Sequence, residues 1–321
     1  MARTRTQLVR TCVLCPPARP RSESAANYTH YRTRFSAVAE NAGVNSGSGT
    51  AMFYSFTEGL VHFIMWDSEA YWSQSNASQA AMINWMRADL AAANANREAV
   101  PWIISLSHKS WWMDDTIQCP AGPGCVIWQI LQEAGVDLAM CVAHTQRRGR
   151  RWCRHSARRL LYTHTQRARP LISPPPRPSL PRVRVGHIHY YARDAPEYPN
   201  ANNGTGAVDM AAVGPNIGNA TNPAVVYTNP QFMTLLVSAA PGDQEVNRRR
   251  QLAPAAVGAP QHGLVSTNNY GFSILNIINA TTLHHRFETA VPHVNTTNAA
   301  FTDDLWLVVE KHGPRTNLPP V

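Results

Sequence analysis

No apolar run in this chain of 321 residues approaches the 18 that a membrane-crossing helix needs, so no membrane span is expected. Residues 1–26 hold five arginines and no apolar stretch of seven or more, so no signal peptide is expected within them; they read as a disordered or wrongly assigned start. Cysteine is sparse. Six residues allow disulfides without requiring them, and Cys12-Val13-Leu14-Cys15, a lone C-x-x-C without a second pair, is weak evidence of a metal site. Acidic residues are missing altogether from 142–185, a stretch of 44 residues that holds 12 arginines and the run Ser173-Pro174-Pro175-Pro176-Arg177-Pro178. That composition cannot bury a core, and a structureless segment of that length is foreign to a compact domain. Without it the formal charge falls from +9 to −3, so the basic character belongs to this insertion.

Three readings of the insertion stay open. It is an Arg-rich arm for nucleic acid or anionic surfaces, a disordered surface loop, or translated non-coding sequence such as a retained intron. The first lacks a recognition fold and regularly spaced aromatics for base stacking, so no specific nucleic-acid partner is expected. His144, His155 and His164 inside it are poor ligand candidates, although Val142-Ala143-His144 competes with Gly186-His187 for one place in the pattern below.

What is present points to histidine chemistry. In Gly186-His187-Ile188-His189-Tyr190-Tyr191-Ala192-Arg193, side-chain alternation with period 2 turns both imidazoles to one side of an extended backbone. Upstream, Val100 to Ser107 is a β-rich apolar run that delivers His108 to its end. Open α/β sheets bind ligands at the carboxyl ends of their strands, so the two motifs can converge. His62, among Leu60, Val61, Phe63 and Ile64, reads as structural. Residues 27–67 read as antiparallel strands, Asn76 to Asn94 as an amphipathic helix with Met82, Trp85, Met86, Leu90 and Ala93 inward, Ile127 to Ala134 as a second helix capped by Gly135, and Val136 to Cys141 as a buried strand. Cys119 and Cys125 flank a Pro/Gly turn that a disulfide could close. Arg248-Arg249-Arg250 reads as a solvated loop. Six N-x-S/T sequons, at Asn27, Asn76, Asn203, Asn219, Asn279 and Asn295, favour a secreted or lumenal glycoprotein.

An apolar strand ending in His, followed by G-H-x-H-x-Y-x-R, resembles the last two metal-binding motifs of the purple acid phosphatases, a family of binuclear metallophosphoesterases. Ala51 to Phe56 with Val61 to Asp67, the helix from Gln79 to Asp89, Phe232 to Gly242, Tyr270 to Phe272 into Asn279-Ala280-Thr281, and Asp304-Leu305-Trp306 are similar to its flanking elements in the same order. The resemblance spans roughly 27–141 and 186–312. It implies an α/β fold of two mixed β-sheets in a sandwich flanked by helices, the first βαβ units missing. The partial catalytic domain would run over 27–312, interrupted by 142–185 and followed by a tail, 313–321.

The same resemblance implies hydrolysis of phosphomonoesters by a metal-bound hydroxide, with Fe and Zn, Mn or a second Fe as cofactors. His108 and His187 would serve one metal and His189 the other. That is three of seven expected ligands: the Asp, G-D-x-x-Y and G-N-H-E motifs do not precede residue 27, and Gly242-Asp243 lacks the required Tyr. The loop after His108 offers Asp114, Asp115 and Gln118, none of which can be named as the general acid. The expectation is an acid phosphatase as the encoded type, with this chain by itself inactive, marginally stable and aggregation-prone. The alternatives are a non-catalytic glycoprotein remnant and an Arg-rich anion binder. Substrate identity and oligomeric state are not legible.

Overall fold

The computed structural model describes residues 8–9, 28–68, 76–108, 123–141, 191–198, 207–214, 224–238, 264–267, 271–289 and 302–319. In chain order the strands are β1 (Leu8–Val9), β2 (Phe53–Glu58), β3 (Val61–Trp66), β4 (Trp102–Ser107), β5 (Leu138–Cys141), β6 (Tyr191–Arg193) and β7 (Glu197–Tyr198). They continue as β8 (Ala207–Val208), β9 (Ala224–Thr228), β10 (Thr234–Ser238), β11 (Val265–Thr267), β12 (Gly271–Ile277), β13 (Thr282–Thr289) and β14 (Thr302–Val308). The helices are α1 (Thr29–Arg34), α2 (Ser36–Val38) with a π turn over Ala39–Gly43, α3 (Asn76–Ala95), α4 (Pro123–Glu133) and α5 (Met210–Val213).

Two mixed sheets carry the fold, in the orders β11-β6-β10-β5-β4-β3-β2 and β1-β12-β13-β14-β9. In the larger, β3, β4, β5 and β10 run parallel, while β2 and β6 pair antiparallel at either side of that block. The residues of β4 are buried throughout, as a central strand covered on both faces requires. By contrast β14 alternates buried and half-buried positions, the mark of a sheet with one covered face.

Alternation sorts the core into two layers. Ile64, Trp66 and Ile103 face Met82, Trp85, Met86 and Leu90 of α3 and Ile127, Ile130 and Leu131 of α4. Phe63, Met65, Ile104 and Leu106 point the other way, towards Val225, Tyr227, Leu283, Leu305 and Leu307 of the smaller sheet. A helix layer, a sheet and a second sheet therefore stack in that order, which is the α/β sandwich expected. Each fully buried aliphatic or aromatic side chain contributes roughly 1.5–3 kcal/mol.

Two boundaries differ from the reading of the sequence. Residues 29–45 are helical rather than extended: Tyr28, Tyr31, Phe35 and Val38 recur at helical spacing, and Tyr28 and Tyr31 are buried beside Ala51 and Met52. Helix α4 begins at Pro123, four residues early, because proline at a first helical position gives up an N–H that would have no partner there. Gly135 closes that helix as expected, at φ 70°, with its N–H donating to the Gln132 carbonyl and that of Val136 to Leu131. A Cβ there would sit 1.8 Å from the Gly313 carbonyl oxygen.

Candidate functional site

The parallel block gives the larger sheet a carboxyl edge, and His108 lies there. His108 directly follows β4 and is buried. Asp67 directly follows β3 with no exposed surface, and Cys141 ends β5 with its Sγ 3.9 Å from Ser107 Oγ. Because β6 runs antiparallel to β10, with Tyr191 opposite Ser238, it enters the sheet from this same edge. His187 and His189 lie outside the described residues, four and two positions before Tyr191. The sequence reading took Asp67 only as the end of the strand that begins at Val61.

The motif's last alternating residues hold the two sheets together. The Arg193 guanidinium, wholly buried, donates through Nε to Asp303 Oδ2 at 2.8 Å and through Nη2 to Oδ1 at 3.0 Å. Through Nη1 it donates to the Tyr227 hydroxyl, which in turn donates to the Asp194 carbonyl at 3.1 Å. The Tyr191 hydroxyl donates to Asp303 as well. Burial, reinforced by the Asp303 charge, holds the Tyr191 phenol well above its usual range, so it remains a donor.

His285 completes this interior. It is buried, its Nε2 lies 2.9 Å from Ser273 Oγ, and its ring stacks on Tyr191. Burial first, then the Arg193 charge, outweigh the Asp303 carboxylate and bring the imidazole down to about 4. The folded state therefore keeps His285 neutral where an unfolded chain, titrating near 6.5, takes up a proton. Stability is expected to fall as pH drops from about 6.5 to 4. Denaturant midpoints across that window should fall less in His285→Gln than in the parent.

The remaining candidates separate. His62 is structural, its Nε2 2.8 Å from Asp89 on α3. Asn279 sits exposed between β12 and β13, where its Oδ1 accepts from the Thr281 N–H at 2.8 Å. The backbone of Asn76 opens α3 and that of Cys125 lies within α4. Asn27, Asn203, Asn219, Asn295, Cys119, Asp114, Asp115, Gln118 and the segment 142–185 lie outside the described residues.

Nitrogen and oxygen donors of this kind suit Fe, Zn or Mn. Among the described residues no group of three or more His, Cys, Asp or Glu is placed to hold a metal ion. The described donors by themselves do not make up a two-metal centre. Among them, too, no helix is long and apolar enough to cross a membrane.

The chain is similar in sequence to acid phosphatases. It is 23% identical over 300 residues to human acid phosphatase type 7, covering 92% of this chain and 53% of that protein. It is 28% identical over 89 residues to purple acid phosphatase 23 of Arabidopsis thaliana, or 28% of this chain and 17% of that one. A solved purple acid phosphatase, PPD1 from yellow lupin seeds, aligns at a TM-score of 0.40 and 13% identity over 80% of this chain and 33% of its own. No family model matches. The chain spans about half the length of the human relative.

Proposed function

We propose that this chain, whose sequence is purple acid phosphatase-like, carries part of a phosphomonoesterase domain whose cation ligands include His108, His187 and His189. The supporting observation is the shared edge: His108 is buried at the carboxyl end of β4, and β6 opens at that edge just after the H-x-H pair. A cation pair, when bound, supplies Lewis acidity to the phosphoester. The chain's own part is to present neutral imidazoles, since protonated ones cannot ligate, so acid should weaken metal binding. In this reading the domain spans 27–312 and is interrupted by 142–185, and Fe with Zn, Mn or a second Fe would be the pairing. The exposed Asn279 sequon, with the others, supports a secreted or lumenal glycoprotein.

Purified chain titrated with Zn²⁺ and assayed with p-nitrophenyl phosphate tests the proposal. His108→Ala is expected to lose bound metal and, with it, any turnover. Unchanged metal content in that variant would sink the ligand assignment. The second reading is a non-catalytic glycoprotein remnant whose histidines bind at most one metal weakly. Stoichiometric Zn²⁺ uptake without turnover would select it.

A further inference from the structure

We propose that the Ser238 hydroxyl, directed by Ser273 and His285, donates a hydrogen bond to a phosphoryl oxygen of the substrate at the carboxyl edge of the larger sheet. The inference rests on the phosphomonoesterase reading above and adds a substrate-binding group to it. Three side chains on three strands form one line. Ser238 Oγ lies 2.7 Å from Ser273 Oγ, which lies 2.9 Å from His285 Nε2. Ser238 closes β10 of the larger sheet, whereas Ser273 is in β12 and His285 in β13 of the smaller one. The line therefore crosses between the sheets, with its inner end sealed. His285 has no exposed surface, and Tyr191, paired with Ser238, stacks on it and on Phe287. Ser238 itself is half-buried.

Proton count gives the line a direction. A neutral imidazole carries one N–H, and burial keeps this imidazole neutral. Nδ1 is buried and has no hydrogen-bond partner. A proton there would be a buried N–H with no acceptor, which folded proteins tolerate less than an unmatched lone pair. The proton therefore belongs to Nε2 and is donated to Ser273 Oγ. Ser273 in turn donates to Ser238, so the Ser238 proton remains to be given to a further acceptor. A donor fixed in advance in this way suits an oxyanion, because it costs no rearrangement when the anion arrives.

Placement supplies the ligand. Ser107 pairs with Cys141, and Cys141 with Val237, so β4, β5 and β10 share a rung. His108 and Ser238 are the next residues after Ser107 and Val237. They stand at one edge of the sheet, on strands two spacings or about 10 Å apart. The directed hydroxyl is thus at the edge where the reading above places the phosphoester.

Calorimetric titration of the full chain with inorganic phosphate at fixed Zn²⁺ tests this in the parent, Ser238→Ala, Ser273→Ala and His108→Ala. Zn²⁺ titrations and melts accompany each. Ser238→Ala is expected to weaken phosphate binding about tenfold at unchanged Zn²⁺ affinity, since the lost hydrogen bond is to a charged group. Ser273→Ala, which keeps the Ser238 hydroxyl but not its direction, should weaken phosphate by a smaller factor, and Ser273→Thr should restore it. If Ser238→Ala binds phosphate like the parent while His108→Ala does not, the Ser238 proposal is overturned and the metal reading stands. If His108→Ala keeps phosphate binding and Ser238→Ala weakens it, Ser238 is supported and the metal reading falls. If the parent binds no phosphate, both fall. Should Ser238→Ala not fold, Ser273→Ala decides, and binding equal to the parent's overturns the proposal.

Discussion

Asp303→Ala is expected to destabilise the protein by about 3–5 kcal/mol, the usual cost of removing one partner of a buried ion pair. The loss comes less from the attraction forgone than from what remains: the Arg193 guanidinium, fully buried, would keep its charge and lose the carboxylate that accepts from its Nε and Nη2. Tyr191 would lose its acceptor too. Urea unfolding midpoints would register the effect, since it is a large share of a domain's total stability of about 5–15 kcal/mol. The discriminating variant is Asp303→Leu combined with Arg193→Met. Removing both charges together should recover much of the loss, because an apolar replacement of a buried pair is often neutral. A loss below about 1 kcal/mol in Asp303→Ala would place that pair in contact with water, contrary to its burial.

The same pair joins β6, which follows the histidine motif, to β14 near the chain's end, 110 residues away. Nothing local in the sequence announces that contact. Arg193 reads as part of a motif, Asp303 as one of two adjacent aspartates, and parity alone decides that Asp303 faces inward while Asp304 meets His284 on the outer face. What was legible followed from periodicity. The apolar run before His108, the inward stripe of α3 and the Gly135 cap each needed only neighbouring residues. The helix over 29–45 was legible as well, yet Gly and Ser turns and alternating aromatics in the same window suggested strands. The shared edge of β4 and β6 was half visible. Sequence order supplied the strand end, whereas the antiparallel entry of β6 depends on its pairing with β10.

At the opposite, amino edge of the parallel block, Asp137→Ala is also expected to cost about 3–5 kcal/mol. Asp137 precedes β5 and is buried. Its Oδ2 accepts from Arg97 Nη1 at 2.8 Å and from the Ile103 N–H at 2.9 Å, and its Oδ1 lies 2.9 Å from His312 Nδ1. One carboxylate thus pins the end of α3, the start of β4 and the C-terminal segment, whose His312 also packs edge-on against Trp102. Burial alone would raise the Asp137 carboxyl. The His312 hydrogen bond, the Arg97 charge and the Ile103 N–H outweigh burial and hold it below its ordinary 3.8. A depressed carboxyl contributes its full stability above the unfolded value and loses it as pH falls through the folded one. The parent should therefore weaken below about pH 3.8, a window separate from that of His285. Asp137→Asn, which cannot ionise, should begin less stable at pH 7 and lose less over the acid range. Because this edge lies across the sheet from His108, neither variant should alter Zn²⁺ affinity at temperatures where it stays folded. A parallel loss of metal affinity would mean that the two edges do not hold independently.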